Sequence, residues 1–396
     1  MAAGSRDSPV DTAPRILAAV VGGAWRKRLT GRDIRLPRFS AIWLATALLF
    51  AVSPLLAPGS DNRSALLSTL PFAAILAIAA IGQTFVIQQR GLDLSVPGMI
   101  TLATIIVTKY PSGSESKLPA ALGLVALACV VSGLVSGLAI TQLGITPLVA
   151  TLGVNALLTG VVLQITSGAA TASATPALAR FSLAKTGGVP NTVLIAAGAV
   201  GILAAVMRTS VLGRQFVSVG SNPVAANAAG IGVRSYQVAT YVVASLSYGA
   251  AGVLVAGFLG TPGIGAGNDY LLPTIAAVVL GGTSLAGGMG SVAATAVGAV
   301  FLIQLEQVVL GVGAPDSIQL VIQGVIIALG MALRQLPTAR LHALLGPLRR
   351  GELARQPVSL SLEGGNDPPP LEQHDARLAD PRQSSTLRPP GSRRKL

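Results

Sequence analysis

ALLSTLPFAAILAIAAIGQTFVIQQRGLDLSVPGMITLATIIVT, residues 65–108, holds the pattern that decides the fold. It opens with an apolar run over 65–88, crosses a polar, Gly-containing elbow, and resumes as a second apolar piece from Ser95 to Thr108. A bilayer core of about 30 Å needs roughly 20 apolar residues in helical form. The first run suffices; the second, which carries Pro97, reaches only about 21 Å at 1.5 Å per residue. A full span joined through a polar elbow to a broken one is the signature to look for elsewhere. It recurs once, where Tyr270–Leu280, carrying Pro273, would reach about 17 Å before a Gly-rich stretch.

Further long runs lie at 40–58, 118–141, 146–167, 189–207, 236–260, 290–311 and 316–334. With 65–88 these make eight long spans. If both short segments cross as well, the fold is an all-α polytopic membrane protein with about ten transmembrane helices; if both re-enter, it has eight. Composition agrees with a membrane body: 51% of residues are hydrophobic and 11% charged, against about 25% charged in soluble chains. Gly133 and Gly137 have the spacing that lets two helices approach closely.

The net charge of +13 is confined mainly to the ends: 8 of 28 Lys+Arg lie in 1–38 and 11 in 334–396. Basic tails flanking a membrane body place both termini in the cytoplasm by the positive-inside rule. The loops do not choose between models. With ten crossings, Arg90, Arg208, Arg214 and Arg234 lie inside and five basic residues lie outside. The expected organisation is a basic N-terminal tail (1–38), a transmembrane domain (39–336) and a mostly disordered, Pro-rich C-terminal tail (337–396). An interfacial helix is expected near Ile16–Trp25. No aromatic-rich basic stripe supports nucleic-acid binding. His342 and His374 fall in the tail and build no metal cluster, Cys129 has no disulfide partner, and no cofactor is expected.

Polar side chains at membrane depth are functional candidates because they are costly there. Gln83, Thr84, Asp93, Ser95, Asn155, Thr283, Ser284 and Glu306 are the candidates for a translocation pathway. Asp93 could instead cap the helix that begins near Ser95, and Glu306 could bond between helices. Broken helices in corresponding places point to a transport site, and the scarcity of buried charge suits a small neutral solute. The polar segment 208–235 holds a second signature. Asn222 reads as an N-cap, Pro223 as a first helical residue, Ala225 and Ala226 as helix formers, and Gly230 as a stop. That is a short loop helix over 222–230. A connector resting on the membrane surface would use the same pattern. The chain has no Gly-Lys dipeptide, hence no phosphate-cradling loop, and is not expected to be an ATPase itself.

Gly82-Gln83-Thr84 leading to Gly91-Leu92-Asp93-Leu94-Ser95, together with Ile275–Gly288, resembles the ribose-type (monosaccharide) ABC importer permeases. Gly144-Ile145-Thr146-Pro147 with Thr151-Leu152-Gly153 resembles them too. So does Gly213-Arg214 running to Asn222-Pro223 and Gly230-Ile231. The similarity covers about 40–335. The chain departs from the family pattern at Pro97, at Tyr270-Leu-Leu-Pro273 and at Glu306, positions that bear on the solute. The resemblance implies a permease homodimer in the cytoplasmic membrane, working with a separate ABC ATPase subunit inside and an extracytoplasmic solute-binding protein outside. It also implies ten crossings, with 208–235 as the cytoplasmic coupling loop. Gly213, Arg214, Asn222, Pro223, Ala225, Ala226, Gly230 and Ile231 would form its ATPase-coupling element, the alanines fitting a groove in the ATPase. The solute implied is a monosaccharide such as ribose. Nucleosides, branched-chain amino acids and ion-coupled secondary transport are the alternatives.

Overall fold

Backbone amides in hydrocarbon have no water to bond, so apolar runs must pair them internally, and helix is the local way to do so. The computed structural model, described for residues 39–169 and 172–335, follows that rule. Its helices are α1 (Ser40–Leu56), α2 (Arg63–Gln88), α3 (Val96–Lys109), α4 (Leu118–Thr141), α5 (Pro147–Thr166), α6 (Pro176–Leu183) and α7 (Asn191–Thr209). They continue as α8 (Val211–Ser221), α9 (Pro223–Ala228), α10 (Val233–Leu259), α11 (Leu271–Leu280), α12 (Val292–Gly311) and α13 (Asp316–Gln335). Among the described residues the only sheet is a small hairpin, β1 (Lys185–Thr186) with β2 (Val189–Pro190). The interfacial helix expected near Ile16–Trp25, the two tails and both histidines lie outside the described residues.

Among the described residues six helices, α2, α4, α5, α7, α10 and α12, are long and apolar enough to cross a membrane. The run at 40–58, read as a long span, is instead a 17-residue helix with Pro54 near its end, about 26 Å long. The two short segments are helices of 14 and 10 residues, α3 and α11. Segment 208–235 departs from expectation by holding two helices. The unforeseen one, α8, is amphipathic: it buries Gly213, Phe216, Val219 and Gly220, and Ser210 Oγ caps it by accepting from Gly213 N at 3.0 Å.

Hydrogen bonds sort the helix ends into two sets. At one, the end of α2 meets the α8–α9 joint and the turn after α11 through Gln88, Gln89, Gly220 and Gly288. At the other, Lys109 at the end of α3 bonds the Ile165 carbonyl near the end of α5, and Ala174 N bonds the Gly260 carbonyl just after α10 at 2.7 Å. There Arg180 of α6 pairs with Glu115 at 2.9 Å.

α2 and α10 are central. Within their most apolar windows 61% and 56% of residues are buried, against 11% for α7. Tyr248, Met99, Ile100, Ala103 and Val255 pack where α2, α3, α4 and α10 converge. Glycine sets how close they come. A Cβ on Gly133 of α4 would meet Val242 Cα of α10 at 2.5 Å, and one on Gly137 would meet Val238 Cα at 2.8 Å. Such close approach replaces the hydrophobic drive that lipid surroundings remove.

Candidate translocation site and loop helix

Seven residues, 89–95, link α2 to α3; the last five, Gly91–Ser95, have no regular structure, and their polar groups find side chains. Asp93, 1% exposed, accepts through Oδ1 from Ser95 N at 2.8 Å and Ser95 Oγ at 2.6 Å. This turn precedes α3, whose first residue is Val96. An acceptor three residues before the helix satisfies the amide of the N-cap Ser95, which the helix itself leaves open. Two side chains of α5 secure the same elbow: Thr151 Oγ1 accepts from Leu94 N at 3.0 Å, and Asn155 Oδ1 accepts from Gly98 N at 2.8 Å. α5 comes so near that a Cβ on Gly98 would meet Leu158 Cβ at 2.9 Å and the Asn155 carbonyl oxygen at 3.1 Å.

Gln83, fully buried, accepts from Tyr248 Oη at 3.0 Å. The Tyr248 hydroxyl also faces Asp93. Thr84 donates to the Ala80 carbonyl at 2.7 Å and bonds Thr295 of α12 at 2.9 Å. Next to Thr295 lies Gly281, whose Cβ would sit 2.7 Å from Thr295 Cα. Thus Gln83, Asp93 and Ser95 come together around Tyr248, and Asn155 reaches the same elbow, while Thr84 joins α2 to the end of α11 through Thr295.

Thr283 and Ser284 lie apart, in the Gly-rich turn between α11 and α12. Thr283 is buried; Ser284 N bonds the Met289 carbonyl at 2.9 Å, and Ser284 Oγ accepts from Ala286 N at 3.3 Å. Glu306 does not join either group. It lies half-buried on α12 facing α13, lining a small crevice with Gln319 and Gln323. Gln83, Thr84, Asp93, Ser95 and Thr283 are all enclosed by packing, so in this conformation the polar centre is closed.

The loop helix is built from its caps. Asn222 Oδ1 accepts from Ala225 N at 3.1 Å, Pro223 opens α9, and Gly230 at φ +78° closes it. Ile231 N returns to the Ala226 carbonyl and Gly230 N to the Asn227 carbonyl, both at 3.0 Å. Gly213 is buried in α8, and Arg214 reaches back to the Thr209 carbonyl at 3.2 Å. One placement corrects the sequence reading. Ala226, expected among the alanines facing a partner, is 4% exposed and faces its own chain, whereas Val224 is 80% exposed and Ala225 and Ala228 are exposed too. A helix of six residues attached at both ends must turn one face inward, and Ala226 falls on it.

Tyr248, Thr295, Val224 and Arg90 escaped the sequence reading. Tyr248 and Thr295 sit in runs that read as span, and Arg90 counted only as a loop charge. The one available signal was that a tyrosine amid small residues in a buried span must find a hydrogen-bond partner.

A family model described as a permease component of a branched-chain amino acid transport system matches residues 65–331. The ribose import permease protein of Escherichia coli (strain K12) is 30% identical over 306 residues, covering 74% of this chain and 94% of the relative. That of Bacillus subtilis (strain 168) is 31% identical over 294 residues, covering 74% and 91%. The galactose/methyl galactoside import permease protein of Haemophilus influenzae (strain ATCC 51907 / DSM 11121 / KW20 / Rd) is 27% identical over 319 residues, covering 76% and 95%. No solved structure matches.

Proposed function

The chain belongs to the ribose-type family of ABC import permeases and is a multi-pass protein of the cell membrane; from that premise we propose that it forms the transmembrane path of an ATP-driven importer for a monosaccharide such as ribose. In this reading two copies pair, a separate ABC ATPase docks inside, and an extracytoplasmic solute-binding protein delivers the sugar. Ten crossings place both termini and segment 208–235 in the cytoplasm.

The observation that carries the reading is α9. It is fixed at both ends by Asn222 and Gly230, and it lies at the same end of the bundle as both polar turns. Val224, Ala225 and Ala228 then face the ATPase, while Ala226 seats the helix on the permease; Gly213, Arg214, Pro223 and Ile231 shape its approach. Asp93, Ser95, Gln83, Thr84, Asn155, Thr283 and Ser284 line the path when it opens, with Glu306 further along. Apart from Asp93 and Glu306 these groups are neutral donors and acceptors, the chemistry that suits a polyhydroxy solute. Asp93 gives its Oδ1 to Ser95, the bonding of a capping residue, which favours that role over the carboxylate of an ion-coupled carrier.

Reconstitution tests this. With ATPase and binding protein, vesicles should take up sugar only with ATP. The chain alone should give no flux under a proton or sodium gradient, and robust gradient-driven flux would overturn the importer reading. Val224→Arg should leave insertion intact and abolish ATPase docking and uptake. Thermal-shift screening of the binding protein against sugars, nucleosides and branched-chain amino acids identifies the solute.

A further inference from the structure

Helices α9, α11 and α12 close in one way. The first residue past the cap bonds back three positions, the next bonds back five, and a glycine with positive φ makes the turn: Gly230 (+78°), Gly282 (+89°) and Gly313 (+80°). Glycine suits that place because a Cβ crowds the backbone in the left-handed region. α2 ends with the same pair of bonds, Arg90 N to the Ile87 carbonyl at 2.9 Å and Gly91 N to the Val86 carbonyl at 3.0 Å. Here the residue in the glycine place is Arg90, at φ +65°. A long side chain held in a strained backbone position implies work for that side chain.

The contacts say what work. Arg90 Nε donates to the Gly220 carbonyl at 2.9 Å, and a terminal guanidinium nitrogen donates to the Ser221 carbonyl. These carbonyls belong to the last residues of α8, the negative end of its dipole. The next residue, Asn222, caps α9. Two more bonds fasten the same joint: Gly288 N to the Gln88 carbonyl at 2.8 Å, and Gln89 Nε2 to the Phe216 carbonyl at 2.8 Å. A Cβ on Gly287 would lie 2.5 Å from both Arg90 Cγ and the Gly220 oxygen. The end of α2, the α8–α9 joint and the glycine turn after α11 therefore interlock.

We propose that Arg90 is a positioning residue whose guanidinium locks the α8–α9 joint to the end of α2 and to the Gly287–Gly288 turn. The loop helix, the Asp93 elbow and the glycine turn then move as one body. The lock stands on geometry alone; its consequence for transport rests on the importer reading.

Arg90→Gly is the informative variant, because it gives the turn its preferred residue while deleting the fork. In the purified full-length chain in nanodiscs, its melting temperature should not fall. Amide exchange in 220–230 and 286–290 should accelerate at least about fivefold, with α4 and α5 unchanged. Arg90→Lys, a single-point donor, should fall between. In the complex with ATPase and binding protein, Arg90→Gly should keep basal ATP hydrolysis and lose about tenfold in sugar uptake per ATP, the factor a charge-assisted bond supports. Unchanged exchange in both segments overturns the lock, whatever the transport result. Faster exchange with uptake per ATP unchanged, or with uptake and hydrolysis falling in proportion, overturns the transmission of movement. A wild-type complex that moves no solute with ATP overturns the importer reading, and the exchange measurement still decides the lock.

Discussion

Between α2 and α3 the chain turns on side chains: Asp93 serves Ser95, Thr151 serves Leu94, and Asn155 serves Gly98. Between α11 and α12 it turns on backbone and glycine. Beyond the pair of helix-closing bonds that both turns share, Ser284 N bonds the Met289 carbonyl at 2.9 Å, Gly287 N the Ser284 carbonyl at 3.0 Å, and Gly288 N the Gln88 carbonyl at 2.8 Å. Each turn interrupts a helix near a short span, and each must satisfy amides that the interruption exposes. The first imports acceptors from α5 and from its own Asp93. The second folds back on itself and leans on α2. Weak residue identity between the two places follows, because one requirement has been met by two chemistries. The first turn should fail when an acceptor is lost; the second should fail when bulk is added to its glycines.

The largest expected effect comes from adding bulk to the second turn. Gly288 has φ +74°, and a Cβ there would lie 2.7 Å from Ser221 Cα. Backbone strain and overpacking together should make Gly288→Ala cost about 3 kcal/mol, seen as loss of monodisperse protein in detergent and a lower melting temperature. A well-folded Gly288→Ala variant would break the comparison at its stronger end.

An intermediate effect is expected from removing the first turn's acceptor. Asp93→Leu strands the buried Ser95 amide and hydroxyl and should cost about 2 kcal/mol. Asp93→Asn keeps an oxygen that can accept and should cost well under about 1 kcal/mol. The thermal stabilities of the pair sharpen the comparison. Uptake should follow stability in both, with no change in its pH profile; a dead, well-folded Asn variant would assign Asp93 a proton-carrying role instead.

The smallest effect tests where the two regions touch. Thr84→Val removes the Thr84–Thr295 bond at 2.9 Å while keeping the shape of the side chain. Bonds between membrane helices average about 0.6 kcal/mol, so the melting temperature should drop slightly and uptake should persist. A large loss would mean that the Thr84 hydroxyl couples α2 and α12 beyond mere packing.

The two regions also divide what could be read in advance. Pro97 and Pro273, with the lengths of their apolar runs, announced two broken helices. Asn222, Pro223 and Gly230 announced α9 through their caps. Missing were α8, whose amphipathic pattern lay inside a stretch read as loop, and the inward face of Ala226. Both depend on what the segment packs against. The 40–58 run was read two residues too long because composition does not register where a helix ends near Pro54.

Membrane architecture was determined by the sequence alone, because solvation of the backbone is a local requirement: about 20 apolar residues in hydrocarbon have to be helical whatever their neighbours are. Local caps and stops follow for the same reason, since each is a contest between a few adjacent groups. Only the tertiary structure decided which polar groups meet. Tyr248 reaches Gln83 across 165 positions, Thr84 reaches Thr295 across 211, and Arg90 reaches Gly220 across 130. Such pairings arise from helix packing, in which glycines at Gly82, Gly98 and Gly281 set distances that no local pattern encodes. A hydrogen bond between helices exists only once those distances are fixed.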